Sequence, residues 1–557
     1  MASYSLVAFR NLARRRPFVA PVLRSKRCTS SYSVYEYPLA KEPPEITRTK
    51  AKEVEKNPRS WQRSARLSED RFDDAQALTP QQIEQIRSEQ RKTLNTKLSS
   101  AYAITNEVPA SIPPNFPADQ LEVPETLVTT LDNGIRVVSQ ETYGQVSTIG
   151  AVCEVGSRLE RAGETGVTNL LEVLAFGATK KYMGPQVNTL LQDWGGQRFV
   201  STGREQSLHC IDLLRPNIEN ALDLLREVLL EAKFLPEEVE DAKMALGFQA
   251  MDMMPELLLG EALQEAAYGA NQQLGQPHFC PAEALAELSA DTVHGYWQRQ
   301  FVQNPKGLVI GGAGVRHDFL VKKADELFGH LKQKDEGRSI VKPSQYQGGE
   351  KRVESPTVDG LVRIGVGFEV GGWHSDALVA TCVLQTLLGG GSSFSAGGPG
   401  KGMYSRLYRR VLNQFGWAES AEAYTAFHSE SGIWGISGST MPENARNMVQ
   451  VFTHHLAQLA VNHVSDEELD RARNMLKCNV LTQLESRLVL FEDMGRQVLT
   501  YGQRENMNVT CKKIDAVTKE DLRQVASKAL EKPPCLASVG SDLSHVPRHD
   551  ELVAWLG

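Results

Sequence analysis

Regularly spaced apolar residues begin near Leu121, after a long polar stretch. The segment TTLDNGIRVVSQ (129–140) has strand-forming residues on both sides of Asn133-Gly134. It predicts a β-hairpin, because both turn residues tolerate a positive φ. The next segment, STIGAVCEVGSRLE (147–160), predicts another strand, and TGVTNLLEVLAFGAT (165–179) has the apolar spacing of a helix. The regular part of the chain therefore opens with strands followed by a helix.

Parts of this pattern recur in the second half of the chain. The segment 149–157 (IGAVCEVGS) is echoed 215 residues later by 364–372 (IGVGFEVGG). A helical run that begins at Pro236 is matched by one that begins at Asp466, and both halves close with a strand and a glycine-containing turn. Three matches in the same order predict a duplicated α/β unit. We therefore expect an α+β fold of two homologous domains, each a mostly antiparallel sheet covered by helices.

The polar stretches suggest where the domains begin and end. A linker is predicted where the sequence QKDEGRSIVKPSQYQGGEKR separates the two copies. A charged stretch with some helical pattern precedes the first copy and has too little apolar periodicity to fold alone. The predicted parts are a transit peptide at 1–30, an N-terminal extension at 31–120, a first domain at 121–332, a linker at 333–352 and a second domain at 353–557.

Charge is unevenly distributed, and the first thirty residues are basic. They interleave apolar side chains with seven cationic residues, and the first acidic residue is Glu36. Arginine-rich, acid-poor composition of this kind is typical of a mitochondrial transit peptide. A disordered basic tail is the alternative, and a secretory signal is disfavoured because no long apolar core follows. Removal of the segment takes the formal net charge from −7 to −14, which favours basic partners; no nucleic acid is expected to bind.

Two further features of composition narrow the class of protein. No run of 18 apolar residues occurs, so no membrane-spanning helix is predicted. The eight cysteines include no C-x-x-C pair, which argues against a zinc ribbon or a disulfide framework. Their scatter fits a reducing compartment, in which cysteine serves as a small hydrophobic residue.

The helix predicted after the VGSR turn resembles the active-site helix of the pitrilysin/insulinase-type zinc metallopeptidases. In that family the helix carries His-x-x-Glu-His, in which two histidines bind zinc and the glutamate activates water. The three corresponding residues here are Asn169, Glu172 and Val173. Valine cannot bind a metal, and asparagine is a poor ligand for zinc. Both histidines are therefore missing, and we interpret Glu172 as an ordinary helix glutamate without a catalytic role.

The second half contains a glycine-rich segment between residues 389 and 408. Glycine at this density is costly in a regular strand or helix, so we predict a loop with exposed backbone groups suited to an extended peptide. A phosphate-binding loop is excluded because Gly402, and not Ser or Thr, follows Lys401. A passive linker is disfavoured because the amphipathic segment SRLYRRVLNQFG follows directly. Glu419, Glu422 and Glu430 are nearby candidates for contacts with a basic ligand.

Three segments resemble the α-subunits of mitochondrial processing peptidases, a non-catalytic branch of the same family. They are SSFSAGGPGKGMYSRLY (392–408), EAAYGANQQLGQPHFCPAE (265–283) and LESRLVLFEDMGRQVL (484–499). The resemblance covers about 121–557 and not the extension. It implies a clam-shell heterodimer with a zinc-bearing β-subunit that cuts, while this chain needs no cofactor and binds presequence peptides. The substrate-binding residues implied are Gly389, Gly390, Gly391, Phe394, Gly397, Gly398, Gly400, Gly402 and Met403.

The resemblance leaves other functions open. The same fold serves as a structural core subunit of the cytochrome bc1 complex, which would make other subunits of that complex its partners. An active metalloprotease with an unusual ligand set is the third and least favoured possibility. Either of the first two roles implies the mitochondrial matrix, or the matrix side of the inner membrane.

Overall fold

The computed structural model describes residues 124–142, 144–334, 341–393 and 403–556. The predicted transit peptide (1–30), the whole of the predicted extension (31–120) and residues 121–123 lie outside these residues. None of the helices in the described ranges is both long and apolar enough to cross a membrane.

The first half of the described chain is built on a mixed sheet. Its strands are β1 (Thr126–Thr130), β2 (Arg136–Gln140), β3 (Val146–Cys153), β4 (Gln197–Thr202), β5 (Ser207–Leu214) and β6 (Leu308–Ala313). They lie in the order β1-β2-β6-β3-β5-β4, and only the β2–β6 pair among them is parallel. The predicted hairpin is β1–β2, in which Thr130 pairs with Arg136. Gly134 alone of the two turn residues has a positive φ, of 90°, because the loop is longer than a two-residue turn.

The first half also contains helices. They are α1 (Val167–Leu174), α2 (Gly184–Asp193), α3 (Ile218–Leu230), α4 (Pro236–Met251), α5 (Pro255–Tyr268), α6 (Ala282–Leu285), α7 (Ala290–Trp297) and α8 (His317–Phe328). The helix predicted over 165–179 is shorter than expected. It ends at Leu174, because Phe176 adopts a left-handed conformation with φ of 63° that a helix cannot continue through.

The second half repeats the arrangement. Its strands are β7 (Gly349–Glu354), β8 (Val362–Gly371), β9 (Gly390–Ser392), β10 (Ala418–Phe427), β11 (Ser431–Thr440) and β12 (Cys535–Gly540). Their order is β7-β12-β8-β11-β10-β9, with β7 and β12 parallel. This matches the order β2-β6-β3-β5-β4 of the first sheet, and the echoed segments 149–157 and 364–372 begin in the equivalent strands β3 and β8. The predicted α+β fold of two similar units is confirmed.

The helices of the second half are α9 (Leu378–Leu388), α10 (Ala445–Val461), α11 (Asp466–Leu484), α12 (Arg487–Tyr501), α13 (Met507–Ala516), α14 (Lys519–Leu530) and α15 (His549–Leu556). Ser465 caps the start of α11 by accepting a hydrogen bond from the Glu468 backbone N–H, and the side chains that precede α7, α13 and α14 accept in the same way. The α4 and α5 helices of the first half begin with proline. The amphipathic segment predicted after the glycine-rich run forms a short π-helical turn at Tyr408–Leu412.

Each half covers one face of the other half's sheet with a helix. The α5 helix of the first half packs on β7, β8 and β12, and the α12 helix of the second half packs on β2, β3 and β6. Where α12 packs on the first sheet, Phe491 is fully buried among Val138, Val152 and Val309. Gly495 lies so close to β3 that a Cβ there would sit 2.4 Å from Val152 Cγ2. The two halves therefore share their cores through exchanged helices.

Candidate functional site

The helix α1 carries the three positions that sequence reasoning singled out. Asn169, Glu172 and Val173 lie on one side of the helix, at spacings of three and four residues. With Ala175, Arg198, Val200 and Gln249 they line a cavity of about 240 Å³. The buried carboxylate of Glu160 accepts hydrogen bonds from the backbone N–H groups of Gly166 (2.8 Å) and Thr168 (2.9 Å) at the start of α1. Burial raises the pKa of Glu160 to about 7.

Two of the polar groups in this cavity, those of Asn169 and Glu172, are held by protein partners. Asn169 Oδ1 accepts a hydrogen bond from the Cys280 backbone N–H at 3.2 Å. Glu172 Oε2 accepts two hydrogen bonds from Thr202, from its backbone N–H at 2.8 Å and its hydroxyl at 2.6 Å. Val173 packs against the core of the first half. The carboxylate thus fastens α1 to the edge strand β4.

Arg198 and Gln249 belong to the cavity and were missed by sequence reasoning. Arg198 Nη1 donates to the backbone carbonyls of Ala175 (3.2 Å) and Phe176 (3.3 Å) where α1 ends, and its guanidinium lies 5.7 Å from the centre of the Phe176 ring. Burial lowers the pKa of Arg198. The alternation of Arg198 and Val200 along β4 could have indicated that both side chains lie on the same face of the strand. Gln249 belongs to α4, and no sequence pattern indicated its place in the cavity.

The chemistry of this cavity does not suit a zinc ion. Its possible ligands are two neutral amides and one carboxylate that already accepts from Thr202, and the positive charge of Arg198 beside them opposes a metal cation. Elsewhere in the described ranges, no group of three His, Cys, Asp or Glu side chains is placed to hold a metal ion.

The glycine-rich segment begins in a conformation that requires glycine. Gly389, Gly390 and Gly391 have φ values of 55°, 104° and 153°. A Cβ on Gly390 would lie 1.9 Å from the Ala421 carbonyl oxygen. The prediction of an irregular loop is wrong here, because Gly390–Ser392 form the edge strand β9, antiparallel to β10. Glycine allows the positive φ values and the close approach that this strand needs.

Hydrogen bonds tie the start of the glycine-rich segment to Ser405 and to β10. The Gly390 backbone N–H donates to the Ser405 hydroxyl at 3.0 Å, and the Gly389 carbonyl accepts from the Ala423 N–H at 2.8 Å. Met403 is partly buried and packs on the second core, so the returning chain is anchored. Phe394, Gly397, Gly398, Gly400 and Gly402 lie outside the described residues.

The acidic candidates near this segment differ in their surroundings. The Glu419 carbonyl accepts from the Ser393 N–H at 2.8 Å, and its side chain lies beside β9. Glu430 is not free for a ligand, because it pairs with Arg158 of the VGSR turn and accepts the Ser344 N–H at 2.9 Å. Arg158 also pairs with Glu205. This ion-pair cluster joins the first half, residues 342 and 344 of the predicted linker, and the second half.

The duplicated α+β unit places the chain in a known class, the peptidases of the M16 type. Residues 136–282 match the model for "Insulinase (Peptidase family M16)", and residues 287–476 match "Peptidase M16 inactive domain". The chain belongs to the M16 peptidase family.

The chain is also similar to particular proteins. It is 35% identical over 484 residues to the human mitochondrial-processing peptidase subunit alpha, covering 82% of this chain and 90% of that one. It is 34% identical over 446 residues to the probable mitochondrial-processing peptidase subunit alpha-1 of Arabidopsis thaliana, covering 79% and 86%. A chain of "Complex III2 from Candida albicans, Inz-5 bound" shares the fold, with a TM-score of 0.67 and 19% identity over 77% of this chain and 99% of that one.

Proposed function

We propose that this chain is the non-catalytic, substrate-recognising subunit of a mitochondrial processing peptidase. It holds basic presequences for cleavage by a zinc-bearing β-subunit, in the matrix or on the matrix side of the inner membrane. The similarity to processing-peptidase α-subunits over most of the chain supports this role.

The composition of the α1 cavity is the main observation that supports a non-catalytic role for this chain. Asn169 and Val173 stand where the family has its histidines, and Arg198 supplies a fixed positive charge in the same cavity. Hydrolysis by this family needs a metal-bound water of lowered pKa. A cavity with neutral amides and a guanidinium neither attracts the metal nor activates the water.

The edge strand β9 supports the substrate-binding part. It is the last strand of the second sheet within the described residues, with β10 on one side. The Gly390 N–H already donates to the Ser405 hydroxyl, whereas a Cβ on Gly391 would meet no atom within 4 Å, so the strand is open at Gly391. Extended peptides bind to sheet edges through backbone hydrogen bonds, which suits substrates of variable sequence. We assign recognition to Gly389–Gly391 and to the segment from Phe394 to Gly402, with Met403 anchoring its end.

Reconstitution tests both parts. The chain without residues 1–30 is purified alone and mixed with its zinc-bearing partner, and cleavage of a fluorescent presequence peptide is followed beside metal content. We expect no bound zinc and no cleavage from the chain alone, and rapid cleavage from the mixture. Deletion of Gly397–Gly402 should weaken peptide affinity and cleavage while assembly with the partner persists. Unchanged cleavage kinetics in the deletion variant would remove the segment from recognition.

A structural core subunit of the cytochrome bc1 complex is the second candidate, favoured by the fold shared with a chain of a complex III assembly. If the reconstituted mixture stays inactive while the chain purifies with haem-containing subunits, this second role is correct.

A further inference from the structure

The solvent-facing side of α4 presents a row of apolar side chains. Met244, Phe248 and Met251 are 58%, 72% and 87% exposed. The opposite side of the same helix is buried through Val239, Ala242 and Leu246. Single exposed apolar residues are common on protein surfaces, but three that follow one another at helical spacing form a continuous patch of the kind that marks an interaction site.

Two carboxylates extend this row toward the start of the helix. Positions 237, 241, 244, 248 and 251 follow at intervals of four, three, four and three residues. This is the spacing of the seam along which one helix packs on another. Glu237 and Asp241 are both exposed. The row is therefore acidic in its first part and apolar in its last, over a helix about 24 Å long.

The one lysine of α4 forms hydrogen bonds with groups outside this row. Lys243 Nζ donates to Glu240 Oε1 and to the Leu288 carbonyl oxygen, both at 3.0 Å. With four acidic residues and this one basic residue, α4 has a formal charge of −3. The acidic end of the row therefore keeps an excess of negative charge that favours a cationic partner.

We propose that this face of α4 is a docking site for a basic amphipathic helix of the presequence type. The apolar side of that helix packs on Met244, Phe248 and Met251, and its arginines or lysines meet Glu237 and Asp241. Methionine adapts to apolar side chains of different shape, which suits ligands that share amphipathic character but not sequence.

The position of this face fits such a role. Gln249, beside Phe248, lines the α1 cavity, so the face borders the site that corresponds to the family's catalytic helix. The inference rests on the proposed function and deepens it, because it assigns the helical part of a presequence to α4 and leaves an extended part to β9.

Peptide binding tests the proposal. Fluorescence anisotropy is measured with the chain lacking residues 1–30, alone and assembled with its zinc-bearing partner. One 20-residue peptide places leucines and four arginines on opposite sides of a helix, and a scrambled peptide of the same composition does not. The variants are Phe248→Ser/Met251→Ser and Glu237→Gln/Asp241→Asn. Val461→Ser, at another exposed apolar residue in α10, is the matched control because it is 75% exposed.

We expect the Phe248→Ser/Met251→Ser variant to raise the Kd of the amphipathic peptide about tenfold, because it removes the apolar contacts at the centre of the site. The Glu237→Gln/Asp241→Asn variant should raise it about threefold in low salt and very little in high salt, since exposed charges are screened. The scrambled peptide and the Val461→Ser variant should show no change. All three variants replace exposed side chains, so an unchanged unfolding transition is the folding control.

Two results would overturn the proposal. One is equal weakening, or no weakening, of both peptides by Phe248→Ser/Met251→Ser. The other is normal peptide binding by the isolated variant together with loss of the partner subunit, which would make this face a subunit interface. Failure of the proposed function itself is distinguishable, because the glycine-segment deletion would then leave cleavage unchanged whatever α4 does.

Discussion

Replacement of Gly390 by alanine should detach the edge strand β9 while leaving the second domain folded. The added Cβ would lie 1.9 Å from the Ala421 carbonyl oxygen, whereas ordinary contacts begin near 3.4 Å, so the backbone must shift by about 1.5 Å. The φ of 104° is also unfavourable for alanine. Together with lost pairing to β10, the local cost is about 2–4 kcal/mol. Because β9 has three residues at a sheet edge, global stability should change little.

Hydrogen exchange and peptide binding measure the effect. We expect faster exchange at the amides of Gly390, Ser393 and Ala423, whose hydrogen bonds depend on this strand. Presequence Kd should rise about tenfold, since the ordered strand edge is lost. Gly416→Ala is the matched control, because a Cβ there meets no atom within 4 Å. If Gly390→Ala keeps both the protection and the affinity of Gly416→Ala, the assignment of β9 to recognition is refuted.

Three further predictions concern the core and the α1 helix. Phe491→Ala should destabilise the chain by about 3–5 kcal/mol and lower hydrogen-exchange protection in β2, β3 and β6, because the ring is buried under the first sheet; losses confined to second-half strands would contradict the exchange of helices. The raised pKa of Glu160, about 7, exceeds its value in the unfolded chain, so its stabilising contribution is present below the unfolded-state pKa and is lost as the pH rises toward 7. Denaturant unfolding at about pH 5 and pH 8 should therefore show Glu160→Gln gaining stability relative to the parent chain at the higher pH, and a constant difference would rule this out. Glu172→Gln should leave cleavage by the reconstituted pair unchanged and cost about 1 kcal/mol through its weaker bonds to Thr202; a large loss of activity would show that Glu172 acts in catalysis.

The ion-pair cluster at Arg158 shows why nearness in sequence was a poor guide to ligand-binding carboxylates. Glu430 follows β10, close in sequence to the glycine-rich segment, but its carboxylate pairs with an arginine 272 residues away. Arg158 is 2% exposed, so its charge must be balanced within the fold. The carboxylates of Glu205 and Glu430 do so, and the Lys342 carbonyl accepts a further hydrogen bond from the guanidinium. A sequence cannot show such a pair, because neither partner has a local pattern that requires the other.

The duplication, the α+β class, the hairpin at β1–β2 and the absence of histidine at positions 169 and 173 could all be predicted from the sequence. These features are carried by local periodicity, by turn residues and by residue identity, all of which are present before the chain folds. The start of the glycine-rich segment was also evident, although its first residues form a strand and not a loop. Glycine composition shows which conformations are possible there, and pairing with β10 selects one of them.

The contacts between surfaces that are distant in sequence became evident in the folded chain alone. The fold placed α12 on the first sheet and α5 on the second, and it brought Arg198 and Gln249 beside Asn169. It also left Met244, Phe248 and Met251 in solvent, although their spacing equals that of buried positions. The physical reason is that burial of apolar area is not directional: a periodic pattern shows that a helix has an apolar side, but any sufficiently apolar surface can cover it. Which surface does so depends on the path of the whole chain.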